Sequence, residues 1–497
     1  MNGTDLTMFT NLDGTLERYY ALGDSFLHKA FDLLTAYGNM IAANSGLYMT
    51  LGGLDFYLPK QLQNMQHHAP VEMEKRLGDY VWNHLSHISL VPFYSQTYLD
   101  PENNVQAANK QRVDFPIHAA ELLNWFETND IYRKNAAKIC EATKTYYDFP
   151  RGARGGVYPW ADVTSGKRLG KITHIPFIGA MALGMAIVTN ATSDIQFLEW
   201  ADQKLDFAWN QRPSLLPILV DRLTQEGYYH LNHDPVESSD TDTLYHVRYL
   251  FEMWKLLDGK PAYQHYADKY RNQALAVVNQ WYLTGWRPEF GHFMRKLQFA
   301  DGSPDKMTIY GDGKWNTLYV LVWAYRATGE IKYLSRLKEA WENLLTMSTN
   351  TPGLVDARFD SGVGNGVLEA GHQTQFLNVL LDAYDASDDP YFIAHAVALA
   401  DGMLVKGDVV FPPSNGDAGA SFLRLAQAHK NIRRLQIIMG AKDRAIKIKS
   451  EQGEPKLFSH VPADIAIVYL PQGSYVVTVE NDSKTVALDS DMTISFP

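Results

Sequence analysis

Between Leu16 and about Lys430 one pattern repeats: apolar residues recur every three and four positions, in segments that come in pairs. Within a pair the connection is a short polar turn, as in Leu257-Asp-Gly-Lys-Pro261, Thr328-Gly-Glu-Ile331 and Ala386-Ser-Asp-Asp-Pro390. Between pairs it is a longer loop rich in Gly, Pro and aromatic residues. Antiparallel helix hairpins laid side by side put the short turns at one end and the long loops at the other. Closing such a row makes a double ring. The pattern therefore predicts a mainly α fold, an (α/α) toroid or barrel of about six or seven hairpins filling residues 1–430. An open solenoid is the rival, but no fixed repeat period accompanies it.

Helices are expected over residues 25–43, 73–88, 116–127, 132–148, 175–188, 194–210, 241–257, 261–282, 314–328, 331–347, 372–386 and 390–405. The first of a pair is apolar all round in several cases, as from Trp315 to Tyr325, which suits an inner ring. The second is more charged, as from Tyr333 to Leu344, which suits an outer one. After Lys430 the segments 444–449, 463–470, 475–480 and 484–488 become β-branched and partly alternating. They predict a small antiparallel β-domain over 431–497, docked on the helical part because so short a sheet buries little alone.

The 497 residues are 46% hydrophobic and 12% aromatic, enough for a large core. With 45 Lys+Arg against 56 Asp+Glu the net charge is −11, and no basic run tracks phosphates, so nucleic acid is not an expected partner. A single cysteine, Cys140, allows no intrachain disulfide and sits mid-helix like a small buried core residue. The apolar run from Ile175 to Val188 is short for a bilayer core of about 30 Å and reads as a buried helix, with no membrane partner expected. The start lacks a basic stretch followed by an apolar one. A signal peptide is thus absent or removed, and the location is periplasmic or secreted in the second case, cytoplasmic otherwise.

If the long loops share one face, polar residues at the inner-helix starts converge there. These are Asp114 and His118; Thr173 and His174; Ser238, Ser239, Asp240, Thr241, Asp242, Tyr245 and His246; Tyr310, Asp312, Lys314 and Asn316; and Glu369, His372 and Gln373. Asp, Ser and Thr before a helix also serve as plain caps. Capping has no use for the His and Tyr that recur beside them. Aromatics in the long loops, among them Tyr158, Trp160, Tyr228, Trp281, Trp286 and Phe290, suit sugar faces or satellite packing equally. Arg151, Arg154, Lys167, Arg168 and Lys171, with Arg287 and Arg295, are either solvated loop charge or receivers of carboxylates and sulfates. No cofactor is expected. The His84/His87 and His230/His233 spacings match metal ligands, and a divalent metal is conceivable only at His230 and His233. The glycine loops at 311–313 and 362–366 follow no buried parallel strand, and no nucleophile elbow occurs.

Taken together, the paired helices, the His- and Tyr-bearing inner-helix starts and the terminal segment Ala463-Asp-Ile-Ala-Ile-Val-Tyr-Leu-Pro-Gln-Gly-Ser-Tyr475 resemble bacterial (α/α)-toroid polysaccharide lyases that act on uronic-acid polysaccharides. The resemblance implies β-elimination on an anionic glycan. His246 then serves as base, oriented by Asp242 one turn earlier, and Tyr310 as acid, with Tyr245 in reserve. His174, Asn316 or Arg295 would neutralise the uronate carboxylate. Trp160, Arg154, Tyr158, Asp242, Lys314, His372 and Trp286 would hold the substrate. Two alternatives stay open: a glycoside hydrolase pairing Asp240 or Asp242 with Asp312 or Glu369, and a noncatalytic glycan-binding protein. Polymer identity and oligomeric state are not legible.

Overall fold

The computed structural model describes residues 9–10, 110–117, 123, 130–149, 155–162, 165–213, 215–224, 226–228, 238–304, 308–310, 313–348, 353–360, 363–368, 370–406, 418, 421–422, 424–425, 428, 432–441, 444–450, 456–461, 465–490 and 492–497. The expected helices over 25–43 and 73–88 lie outside them, as does most of 116–127. The chain divides into two compact units, one of Thr35–Pro288 with Phe293–Gly329, the other of Met1–Leu34, Glu289–His292 and Glu330–Pro497.

In the first unit the helices are α1 (Asp130–Tyr147), α2 (Ile175–Thr192), α3 (Ile195–Asn210), α4 (Thr243–Leu257), α5 (Gln264–Gln280) and α6 (Gly313–Thr328). They form two layers: α4 lies between α2 and α6, while α1 and α3 pack on α2, and α5 packs on α4 and α6. Composition explains the layering. Helix α2 is apolar on every side and almost wholly buried, as an element flanked by neighbours must be. By length and composition it is apolar enough to cross a membrane, but 72% of it is already buried inside the protein. On α3 and α5, by contrast, only one stripe is buried.

The turn between α2 and α3 shows how little chain a hairpin needs. Ser193 adopts φ 63° and returns its N–H to Thr189 O at 2.7 Å, then the Asp194 carboxylate accepts the Gln196 N–H and starts α3. Across the inner layer, Gly179 lets α2 approach α4 closely: a Cβ there would lie 2.9 Å from both His246 Nδ1 and Tyr249 Cδ2. Short strands of two or three residues precede the inner helices, a feature too brief to leave a sequence pattern. Where a helix was expected over 261–282, α5 begins at Gln264 after a Lys260–Tyr263 turn and continues into a π-helical segment, Trp281–Gly285.

The second unit contains α7 (Ile331–Met347), α8 (Ala370–Ser387) and α9 (Pro390–Lys406), followed by seven strands. Strand Ile432–Ile438 lies between Ile465–Pro471 and Met492–Ser495, and Phe9–Thr10 adds to the outer edge of Ile465–Pro471. A second sheet runs Lys456–Val461, Arg444–Ser450, Gly473–Val479, Asp482–Leu488, with Ile446, Ile448, Tyr475, Val477, Val479, Val486 and Leu488 buried on one face.

Candidate functional site

Three small sheets gather the starts of α2 and α4 into one place. The strand Thr173–His174, which leads into α2, pairs with Arg222–Thr224 so that His174 lies opposite Arg222. Ile175 N–H donates to Asp221 O at 3.0 Å. The strand Ser238–Asp240, which leads into α4, pairs with Lys296–Gln298 so that Asp240 lies opposite Lys296, and Thr241 N–H reaches Arg295 O at 2.9 Å. The strand Lys110–Arg112 pairs with Trp160–Asp162, placing Arg112 opposite Trp160.

The charged side chains brought together are Asp221, Arg222, Asp240, Arg295, Lys296, His174 and the Arg112–Asp114 pair. Asp240 is an acceptor for three donors: Arg295 Nε at 2.9 Å, Thr241 Oγ1 at 3.1 Å and the Asp242 N–H at 3.3 Å. Asp221 differs. Its Oδ1 is buried with no hydrogen-bond partner among the described residues, and Arg222 Nε stands 3.7 Å from Oδ2. Burial, reinforced by the charge of Asp240, pushes the Asp221 carboxyl up to about 6, against the pull of Arg222, Lys296 and Arg295. Two carboxyl groups in electrostatic reach of each other thus have unlike surroundings, the arrangement that lets one give a proton while the other accepts.

His174 is half-buried, and its ring lies 5.4 Å from that of Phe177, on which the Arg112 guanidinium also sits at 4.2 Å. Burial and then the charges of Arg222 and Arg112 hold its pKa below the ordinary value, so a neutral imidazole is favoured. Neither His174 before α2 nor Asp242 before α4 makes a side-chain cap bond, whereas Asp194 caps α3; at the entry to α4 it is Asp240 that accepts a backbone N–H, that of Asp242.

Other expected residues fall variously. Tyr245 is half-buried and accepts from Trp315 Nε1 at 3.1 Å. Asn316, one residue on, is buried, and its Nδ2 lacks a partner among the described residues. His246 requires a correction. It is 3% exposed, wedged beside Gly179, and its Nδ1 lies 3.1 Å from Ile175 O. The backbone of α2, not Asp242, orients the ring, and burial drives its pKa down to about 4. The ring is enclosed in the helical core, and nothing places Asp242 against it. Trp286 is half-buried and leans edge-on to Phe293 at 5.1 Å.

His372 is buried in the first turn of α8, in the other compact unit. Tyr310 ends the strand Thr308–Tyr310 and Lys314 is in the first turn of α6, but their side chains lie outside the described residues. So do Arg154, His118, His230, His233, Asp312 and Glu369. Among the described residues no group of three metal-ligating side chains forms. Cys140 is buried and its thiol is pushed up by that burial. Sequence reasoning missed Asp221, Arg222 and Arg112. The available signal was an Asp-Arg pair ending the apolar run Ile218-Leu-Val220.

No family model and no curated protein matches the chain. Several solved structures share its fold. The α-1,2-mannosidase from Trichoderma reesei is 12% identical with a TM-score of 0.54, over 81% of this chain and 93% of that one. A sugar epimerase from a ruminal bacterium is 12% identical with a TM-score of 0.51, over 71% and 99%. The cellobiose 2-epimerase from Spirochaeta thermophila is 12% identical with a TM-score of 0.50, over 73% and 99%. These are (α/α)6 enzymes, and at such identities the likeness is one of fold; it singles out no polysaccharide lyase.

Proposed function

We propose that this chain is a carbohydrate-active enzyme that hydrolyses a glycosidic bond over the starts of α2, α4 and α6. The observation that carries this reading is the Asp221–Asp240 pair, one carboxyl proton-retaining and the other held as an acceptor. Asp221 gives its proton to the departing glycosidic oxygen as the C–O bond breaks. Asp240 faces the anomeric carbon, where it either takes the proton of an attacking water or forms a glycosyl ester that water then opens. Water supplies the oxygen retained by the sugar; in the first route the proton taken by Asp240 returns to Asp221 by exchange with solvent, and in the second Asp221 takes a proton from the water that opens the ester. His174, neutral, hydrogen-bonds a sugar hydroxyl, and Trp160 with Tyr158 offers ring faces to C–H groups. We also take the helix pairs to close into a ring, and residues 431–497 to form a separate small β-domain.

A second reading has its own support in His174: a half-exposed neutral imidazole beside two guanidinium groups could remove and return a proton at a sugar's reducing end, as an epimerase requires. Elimination with His246 as base ranks below both, since that ring is enclosed. One experiment separates the three. A panel of neutral and acidic oligosaccharides is incubated with the protein and the products are weighed. Hydrolysis adds the mass of water, about 18 Da, across the fragments; epimerisation leaves the mass unchanged, and elimination cleaves without adding water. Water-added fragments that vanish in Asp221→Asn support the hydrolase. An Asp221→Asn protein that cleaves at the wild-type rate would overturn it.

A further inference from the structure

The loop cations beside the first aromatic cluster have no part in the bond-breaking chemistry. Lys167, Arg168 and Lys171 lie in the hairpin that runs from Trp160 to His174, in a chain whose net charge is −11. All three are exposed, and no carboxylate among the described residues pairs with any of them. The one acidic residue of the hairpin, Asp162, has Oδ1 occupied by the N–H and the hydroxyl of Ser165, both at 2.7 Å.

This hairpin is a built surface. The strand Trp160–Asp162 pairs with Arg168–Leu169, setting Trp160 opposite Leu169 and Ala161 opposite Arg168. Arg168 Nη2 donates to Thr145 O at 3.1 Å, and its guanidinium lies 5.9 Å from the centre of the Tyr158 ring. Gly166 and Gly170 have φ of +67° and +78°, and a Cβ on them would lie 2.5 Å from the Tyr146 ring and 2.6 Å from Pro159. A side chain at either position would be both strained and crowded, so the turn requires glycine there. The surface is also continuous with the site: Trp160 is opposite Arg112, Arg112 covers Phe177, and Phe177 touches His174.

We propose that this hairpin is an accessory subsite that binds an acidic sugar unit, one carrying a carboxylate or a sulfate ester, at a remove from Asp221. Trp160 stacks on the sugar face while Lys167 and Lys171 take the anionic group; Arg168, paired with Ala161 and bonded to Thr145 O, lies on the other face of the strands and holds the hairpin to α1. The inference deepens the glycan reading above and rests on it for the substrate being a sugar.

Calorimetric titration tests it without relying on turnover. The probes are an oligogalacturonate, which carries carboxylates, a carrageenan oligosaccharide, which carries sulfates, and an uncharged mannan oligosaccharide. Wild type is expected to bind at least one acidic probe about tenfold or more tighter than the neutral one, the preference weakening as salt rises. Lys167→Gln/Lys171→Gln should lose that preference and keep its affinity for the neutral probe within about twofold. Lys167→Glu/Lys171→Glu should weaken acidic binding further, and Trp160→Ala should weaken all three. The probe that prevails tells carboxylate from sulfate. Equal affinity of wild type for acidic and neutral probes, or an unaltered acidic preference in Lys167→Gln/Lys171→Gln, overturns the subsite. Titration reads the subsite and the product assay reads the hydrolase assignment, so the failure of either shows by itself.

Discussion

Asp148 and Asp221 are two half-hidden carboxylates of the same compact unit, and they are treated in opposite ways. Asp148 is ion-paired with Lys204, an ammonium only 1% exposed that also donates to Gly155 O at 3.2 Å. Lys204 thereby joins α3 to the segment carrying Val157 and Tyr158, which is tied in turn to Tyr147 O and to the Thr173 hydroxyl. Asp221 has its nearest guanidinium only at 3.7 Å and a second carboxylate in its surroundings. A carboxylate whose place is structural is given a buried cation. One left beside another acid without a close cation is a place where stability has been given up, the usual mark of chemistry.

The contrast is sharpest if one half of the Asp148 arrangement is removed. Lys204→Met leaves the carboxylate facing a carbonyl oxygen and should cost about 3 kcal/mol, since breaking a buried pair uncovers the other charge. Urea denaturation reads the loss, and adding Asp148→Leu should recover part of it. A Lys204→Met protein as stable as wild type would remove the structural half of the comparison.

Asp221 should respond with the opposite sign. Its carboxyl titrates near 6 in the folded chain against 3.8 for an ordinary aspartate. The folded state therefore holds the proton more tightly, and stability declines as pH rises from about 4 to 6. At pH 7 that carboxylate is a burden, so Asp221→Asn should stabilise the fold by about 1–3 kcal/mol. The same change should lower turnover by about 10²-fold or more. As the proton donor, Asp221 predicts kcat/KM falling on the alkaline side with a midpoint near pH 6. A flat profile through that range would assign proton donation elsewhere.

Why Asp221 was hidden in the sequence while its neighbours were visible has a physical answer. Helix spacing is a periodic signal, and α7 occupies the expected residues 331–347, bounded by the Gly329 turn at φ +71°. His174, Tyr245 and Arg295 are polar residues at recognisable helix or loop positions. Asp221 approaches Asp240 only because two pairs of strands, each two or three residues long, draw distant loops together. Strands that short leave no alternation to read. Periodicity also says that residue 246 lies in the first turn of α4 but not which neighbour it meets, and the missing side chain of Gly179 decides that.

His246 supplies the finest test of the distinction between structural and chemical groups. Its burial lowers the folded pKa to about 4 from 6.5, so the unfolded chain binds the proton first and the ring's contribution to stability is lost as pH falls from about 6.5 to 4. His246→Gln can keep a donor for Ile175 O and has no proton to take up in that range. It should cost about 1 kcal/mol at pH 7 for imperfect packing and flatten the acid limb of the stability curve. The pH profile of turnover should keep its midpoint, because the enclosed ring lies off the path of the substrate. A shifted activity midpoint in that variant, with the fold intact, would return His246 to the chemistry and weaken the claim that exposure separates the two kinds of group.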